Sequence, residues 1–168
     1  MQVTEELRTG RQSWKQLTDM EINEFIQQGY VVVREAFPRE FAERVIPVVW
    51  EELGIDPDDS SVWTDSLVTL RKVLEREPFP QILTPRYLGS VDDLCGPGRW
   101  CAVRGVGYWP VLLPGFASPP WLPPEDGWHL DFNLDGTHID SAELGLVSIE
   151  IFTDIEPGGG GTAVRVGS

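Results

Sequence analysis

The stretch Gly127-Trp128-His129-Leu130-Asp131-Phe132-Asn133 places an imidazole and a carboxylate two residues apart inside a short apolar run. Read as a strand, it alternates its side chains between two faces, so His129 and Asp131 point the same way. Their α-carbons then lie roughly 6.5 Å apart. From there both side chains can reach one metal ion through bonds of about 2.1 Å. Trp128, Leu130 and Phe132 face the other way and are expected to pack there. A His-x-Asp triplet is short, and it also occurs as an ordinary hydrogen-bonded pair on a strand. Its meaning therefore depends on the chain around it.

That chain has 168 residues, enough for one domain with a core, and its 41% hydrophobic content excludes a disordered polymer. The net charge is −14 and the pI about 4.4. Such a surface repels a phosphate backbone, which argues against nucleic-acid binding through a broad basic face. It is equally poor for an anionic membrane. A local basic pocket for an anionic small molecule is compatible with it. The two cysteines, Cys95 and Cys101, match no zinc or redox spacing and read as unpaired thiols in a reducing compartment. Met1 to Thr9 is polar and lacks an apolar signal core, and no stretch approaches a membrane span. The expectation is a cytoplasmic protein acting on a small-molecule substrate, with neither nucleic acid nor membrane as partner. Only His129 and His138 are available to any site that needs imidazole.

Upstream of the motif the pattern is helical. Thr18 and Glu21 form a capping-box pair, Ile22, Phe25 and Ile26 one apolar face, and Gly29 a left-handed stop. Tyr30 to Val33 follows as a β-branched strand. Phe37-Pro38 opens a second helix with Phe41, Val45, Val48, Val49 and Leu53 at helical spacing, Pro47 bending it and Gly54 ending it. Thr64 or Asp65 predicts the cap of a third helix running to Glu77, with Leu67, Leu70 and Leu74 inward. A fourth covers Pro85 to Cys95, broken by Gly96-Pro97-Gly98. After Gly98 the composition turns aromatic and β-branched. Trp100 to Trp109 reads as a strand, and residues 110–124 as a Pro-rich loop at the mouth of a site. Gly127 to Asn133, Leu144 to Phe152 and Thr162 to Val166 read as further strands. Asp154 to Gly161 is a tight turn, because it ends in four glycines. Helices first and strands after argue for an α+β domain, or for helices packed on a β-sandwich. Residues 1–99 are then mainly helical and residues 100–168 mainly strand and loop, in one domain.

Three of these pieces resemble the phytanoyl-CoA dioxygenase family of iron(II)- and 2-oxoglutarate-dependent oxygenases. Leu17-Thr18 through Phe25 to Gly29-Tyr30-Val31-Val32-Val33 is similar to that family's opening helix and strand. His129-Leu130-Asp131 resembles its metal motif. Asp154-Ile155-Glu156-Pro157, with the glycines and Thr162, resembles the turn before its closing metal strand. The middle, Asp56 to Pro124, matches loosely. The resemblance implies a double-stranded β-helix, a cupin-like jelly roll with the N-terminal helices packed on it. It implies Fe(2+) held by His129, Asp131 and a further histidine, with 2-oxoglutarate as cosubstrate. It also implies hydroxylation of a small organic substrate with release of succinate and CO2.

The chain departs from the family in two ways. The family's closing strand reads Gly-Ser-His, and here Gly167-Ser168 is the last pair written. The distal histidine, a following arginine and the last jelly-roll strands are expected in a longer protein, and the 168 residues alone are expected to be inactive. Ile149 stands where the family often has an aromatic. Asp131 fills a position that related halogenases leave small for chloride, which favours a hydroxylase. Tyr108 is the candidate donor to the cosubstrate carboxylate, although a packed core tyrosine is also consistent with its place. His138 reads as a surface histidine, and Arg104 as an anion partner or half of an ion pair. The competing class is a non-catalytic jelly-roll relative that binds a ligand through an incomplete metal site.

Overall fold

The computed structural model describes residues 14–101, 105–116, 120, 122, 125–131, 138, 141 and 145–167. Among them lie three helices: α1 Asp19–Gln28, α2 Arg39–Leu53 and α3 Pro85–Cys95. One antiparallel sheet pairs β1 Leu67–Leu70 with β2 Trp109–Leu112. Short 3₁₀ turns cover Ser60–Val62 and Phe79–Ile82.

Each helix is bounded by local chemistry. At α1 the Thr18 hydroxyl accepts from the Glu21 amide at 3.2 Å, and the Glu21 carboxylate accepts from the Thr18 amide at 2.7 Å. This reciprocal box satisfies two amides that have no helical partner. Gly29, at φ 83°, closes the helix with its amide on the Phe25 carbonyl. The backbone and hydroxyl of Thr18, joined by Arg86, hold the Glu21 carboxyl below the ordinary glutamate range. A depressed folded-state pKa stabilises above the unfolded value, and that stability is lost as pH falls through the folded value. Glu21→Gln is therefore expected to be less stable than the parent at neutral pH and to converge with it in acid. Urea unfolding between about pH 7 and pH 3 checks this.

α2 keeps Pro47 in its interior, which removes one helical amide, and ends at Gly54 with φ 67°. It buries Phe41, Ala42, Val45 and Val49. Against that face pack Leu74, Phe79, Ile82 and Trp109. Aromatic contacts run through the core: Phe37 on Phe41 at 5.3 Å, Phe152 on Phe37 at 5.3 Å, Trp109 on Phe152 at 5.3 Å and Phe79 on Trp109 at 5.2 Å. Through Phe152 the chain after residue 145 joins the core.

α3 carries a strap made of residues 15–17. The Asp93 carboxylate, almost fully buried, accepts the backbone N–H groups of Lys15, Gln16 and Leu17 at 2.8, 2.8 and 2.9 Å. Arg86 donates to the Gln16 carbonyl, and Lys15 pairs with Asp92 at 2.7 Å. Gly89 provides the room: a Cβ there would lie 2.3 Å from the Gln16 Cγ.

Residues 64–77 correct the expectation of a third helix. Leu67–Leu70 forms β1, paired from Leu67↔Leu112 to Leu70↔Trp109, and Leu74 bridges to Val106. The spacing of Leu67, Leu70 and Leu74 suits a helix, but an apolar partner segment at 109–112 offers a ladder instead. The Trp109 indole N–H also donates to the Lys72 carbonyl. Pro110 sits inside β2, opposite Thr69, which a two-stranded edge allows. The Pro-rich loop therefore begins after Leu112, and the strand expected over 100–109 is shifted to Trp109–Leu112, with residues 102–104 outside the described part.

Residues 30–33, 127–131, 145–152 and 162–166, expected as strands, carry no ladder among the described residues. Alternation nevertheless survives over 147–152. Ser148 and Glu150 reach the Tyr87 hydroxyl at 3.0 and 3.2 Å, and Phe152 reaches the core, while Val147, Ile149 and Ile151 are exposed. The glycine-rich turn is present, with the Gly159 amide on the Glu156 carbonyl at 2.7 Å.

Gly105 marks a close approach. A Cβ there would lie 2.4 Å from the backbone oxygen of Leu74. Gly105→Ala must therefore displace the Leu74–Val106 bridge. We expect a loss of about 2 kcal/mol, read by thermal unfolding, with accelerated exchange of the Leu74 amide.

Candidate metal site

Gly127 begins the site with a left-handed turn, φ 77°, that only glycine adopts without cost. Its carbonyl then lies 2.8 Å from His129 Nδ1. A carbonyl only accepts, so Nδ1 carries the hydrogen, and in the neutral ring Nε2 keeps its lone pair. That Nε2 stands 3.4 Å from Asp131 Oδ1. His129 and Asp131 thus face one another.

Two ligand atoms each about 2.1 Å from one ion are roughly 3.0 Å apart at an octahedral right angle and roughly 3.4 Å apart at a tetrahedral angle. The observed separation suits both atoms binding one ion. The Nδ1–H bond to a backbone carbonyl is the outer contact that metal-binding histidines use to fix tautomer and ring plane. The same distance also serves an ion pair in water.

The surroundings differ from the expected enclosed lumen. The side chains of His129 and Asp131 are 75% and 56% exposed. Trp128 and Leu130, expected to pack on an opposite face, are 46% and 56% exposed, because residues 127–131 join no sheet among the described residues. Phe132 and Asn133 lie outside those residues. No group of three or more His, Cys, Asp or Glu side chains able to hold a metal occurs among the described residues.

The other candidates are scattered. His138 is exposed, in a turn where its amide donates to the Ser141 hydroxyl at 2.8 Å and its carbonyl accepts from the Ser141 amide at 2.9 Å. Tyr108 is 53% exposed, so it is no core tyrosine, and the Arg71 guanidinium lies over its ring at 5.2 Å. Arg104 and Trp121 lie outside the described residues, and Phe116 is exposed. Cys95 and Cys101 are free thiols, and burial pushes the Cys95 thiol up. An open groove of about 1080 Å³ lies between the starts of α2 and α3 and residues 151–154, and no residue of the 127–131 stretch lines it.

Two polar clusters escaped the sequence reading. Asp93 anchors the strap, and nothing local in Asp92-Asp93 distinguishes it from a solvated helix face. Tyr87, Ser148 and Glu150 tie residues 148–150 to α3, and burial pushes the Tyr87 phenol up, which keeps it a donor. Its signal was present: Ser148 and Glu150 are polar at alternate positions in an otherwise apolar run.

No family model, no curated protein and no solved structure matches the chain. No helix among the described residues is long and apolar enough to cross a membrane.

Proposed function

We propose that this chain carries the metal-binding motif of an iron(II)- and 2-oxoglutarate-dependent dioxygenase that hydroxylates a small organic substrate, built on a jelly-roll core. One observation carries the reading: His129 Nε2 faces Asp131 Oδ1 at 3.4 Å while Nδ1 is anchored on the Gly127 carbonyl. Bound iron and 2-oxoglutarate supply the oxidising chemistry, with succinate and CO2 as coproducts. The chain's own residues position and orient. Gly127 fixes the imidazole plane and tautomer. His129 offers a neutral nitrogen and Asp131 a charged oxygen to the same point in space. Tyr108 presents a phenol O–H to an anionic ligand.

A second reading rests on the exposure of the pair and on the lack of a third ligand among the described residues. In it, the chain is a non-catalytic ligand-binding relative and His129–Asp131 is an ion pair. Succinate release separates the two. The protein, supplied with iron(II), 2-oxoglutarate and oxygen, is expected to form succinate. Absence of succinate with iron bound favours the non-catalytic reading.

A further inference from the structure

We propose that Arg71 and Tyr108 form a clamp for the carboxylate of a small organic acid. The backbone brings the two together. Antiparallel pairing of β1 with β2 ends at Leu70↔Trp109, and the next contact is Leu74↔Val106. Three residues, Arg71 to Val73, thus face two, Gly107 and Tyr108. This is the count of a β-bulge, a device that re-aims side chains at sheet margins. Arg71 and Tyr108 follow directly on the last pair and are the first residues of the bulge. Gly107 keeps the two chains close there, since a Cβ on it would lie 2.9 Å from Val73 Cγ2.

The chemistry of the pair is incomplete without an anion. The chain has 27 acidic against 13 basic side chains, so carboxylates are in excess. Lys15, Arg39, Lys72, Arg76 and Arg86 all form ion pairs. Arg71 forms none among the described residues; its contact is with the face of the Tyr108 ring. A ring contact of this kind uses none of the guanidinium N–H groups as hydrogen-bond donors to an acceptor atom, and they form the fork that accepts a carboxylate side-on. The Tyr108 hydroxyl likewise has no hydrogen-bond partner among the described residues, and the residue is 53% exposed. A guanidinium and a phenol O–H on one bulge offer a carboxylate a charge and a third donor together. A phosphate shares the charge, but the flat two-donor edge matches the planar carboxylate. In the dioxygenase reading the acid is 2-oxoglutarate; that last step alone rests on that reading.

The test is metal-free. 2-Oxoglutarate, succinate and inorganic phosphate are titrated calorimetrically into the 168-residue chain with a chelator present, for the parent, Arg71→Met, Arg71→Lys, Tyr108→Phe and Arg34→Met. Circular dichroism confirms that each variant is folded. The clamp predicts that both dicarboxylates bind the parent more tightly than phosphate does. Arg71→Met is expected to weaken them about tenfold or more, as loss of a charged hydrogen-bonding partner does. Arg71→Lys falls between, Tyr108→Phe weakens binding less than Arg71→Met, and Arg34→Met, at another exposed arginine, leaves binding unchanged. Undiminished binding by Arg71→Met overturns the proposal. So does equal loss in Arg34→Met, or no carboxylate binding at millimolar concentration. Because no iron is present, failure here leaves the His129–Asp131 reading standing, and failure of that reading leaves the clamp standing.

Discussion

Replacing Asp93 with alanine is expected to lower the stability of the protein by about 3–5 kcal/mol, the scale on which breaking a buried charged contact operates. One carboxylate, almost fully buried, accepts three consecutive backbone N–H groups from Lys15, Gln16 and Leu17, across more than seventy residues of sequence. Its loss leaves those amides without their acceptor beside a helix that cannot supply another. Leu17, 4% exposed, then loses the geometry that buries it. Asp93→Asn retains one carbonyl oxygen and is expected to cost less. Asp92→Asn, which touches the half-exposed Lys15, is expected to stay within about 0.5 kcal/mol of the parent. Urea unfolding gives the stabilities. Amide exchange at residues 15–17 gives the mechanism: it accelerates in Asp93→Ala and not in Asp92→Asn. Equal exchange in both variants would show that the strap is held by its side chains and not by the carboxylate.

The second large effect is on catalysis. On the proposed dioxygenase function, His129→Ala and Asp131→Ala are each expected to lower 2-oxoglutarate turnover by about a thousandfold or more, since each would remove one protein ligand of the ion. Gly127→Val should lower iron affinity by about tenfold, the lower end of the range for outer-shell contacts, because a β-branched residue disfavours φ 77° and moves the carbonyl that anchors Nδ1. Its effect is expected to be relieved by excess iron, whereas that of Asp131→Ala is not. Initial rates of succinate formation against iron concentration separate a shifted midpoint from a lost maximum.

What could be read in the sequence follows how local the physics is. α1 and α3 are bounded by residues whose role depends on a few neighbours: Thr18 with Glu21, Gly29, and Pro85 after the Thr84 cap, whose hydroxyl accepts from the Tyr87 amide. α2 likewise starts after Pro38 and stops at Gly54. The 64–77 region departs from the expected helix because Leu67, Leu70 and Leu74 satisfy a helical period, while the competing partner at 106–112 lies some forty residues away. Ladders are non-local, so the strand propensity of 30–33 and 145–152 does not by itself make one, and those segments carry none among the described residues. The same rule divides the candidate site. His129 and Asp131 are two residues apart, so their proximity was legible, whereas the left-handed turn at Gly127 was not, because the segment reads as a strand from its first residue. The exposure of Trp128 and Leu130 was not, because burial depends on what packs against a segment. Arg71 beside Tyr108 and Asp93 beneath residues 15–17 are long-range pairings that no short motif announces.

Iron binding at named nitrogens tests the central claim most directly. Protein labelled with ¹⁵N at histidine, titrated anaerobically with iron(II), reports His129 and His138 as separate signals, since these are the two histidines of the chain. The account predicts that the His129 signals broaden first, that His138 in its exposed turn responds only at higher concentration, and that the His129 response disappears in Asp131→Ala. Broadening of His138 at the same concentration, or a His129 response unchanged by Asp131→Ala, would contradict it.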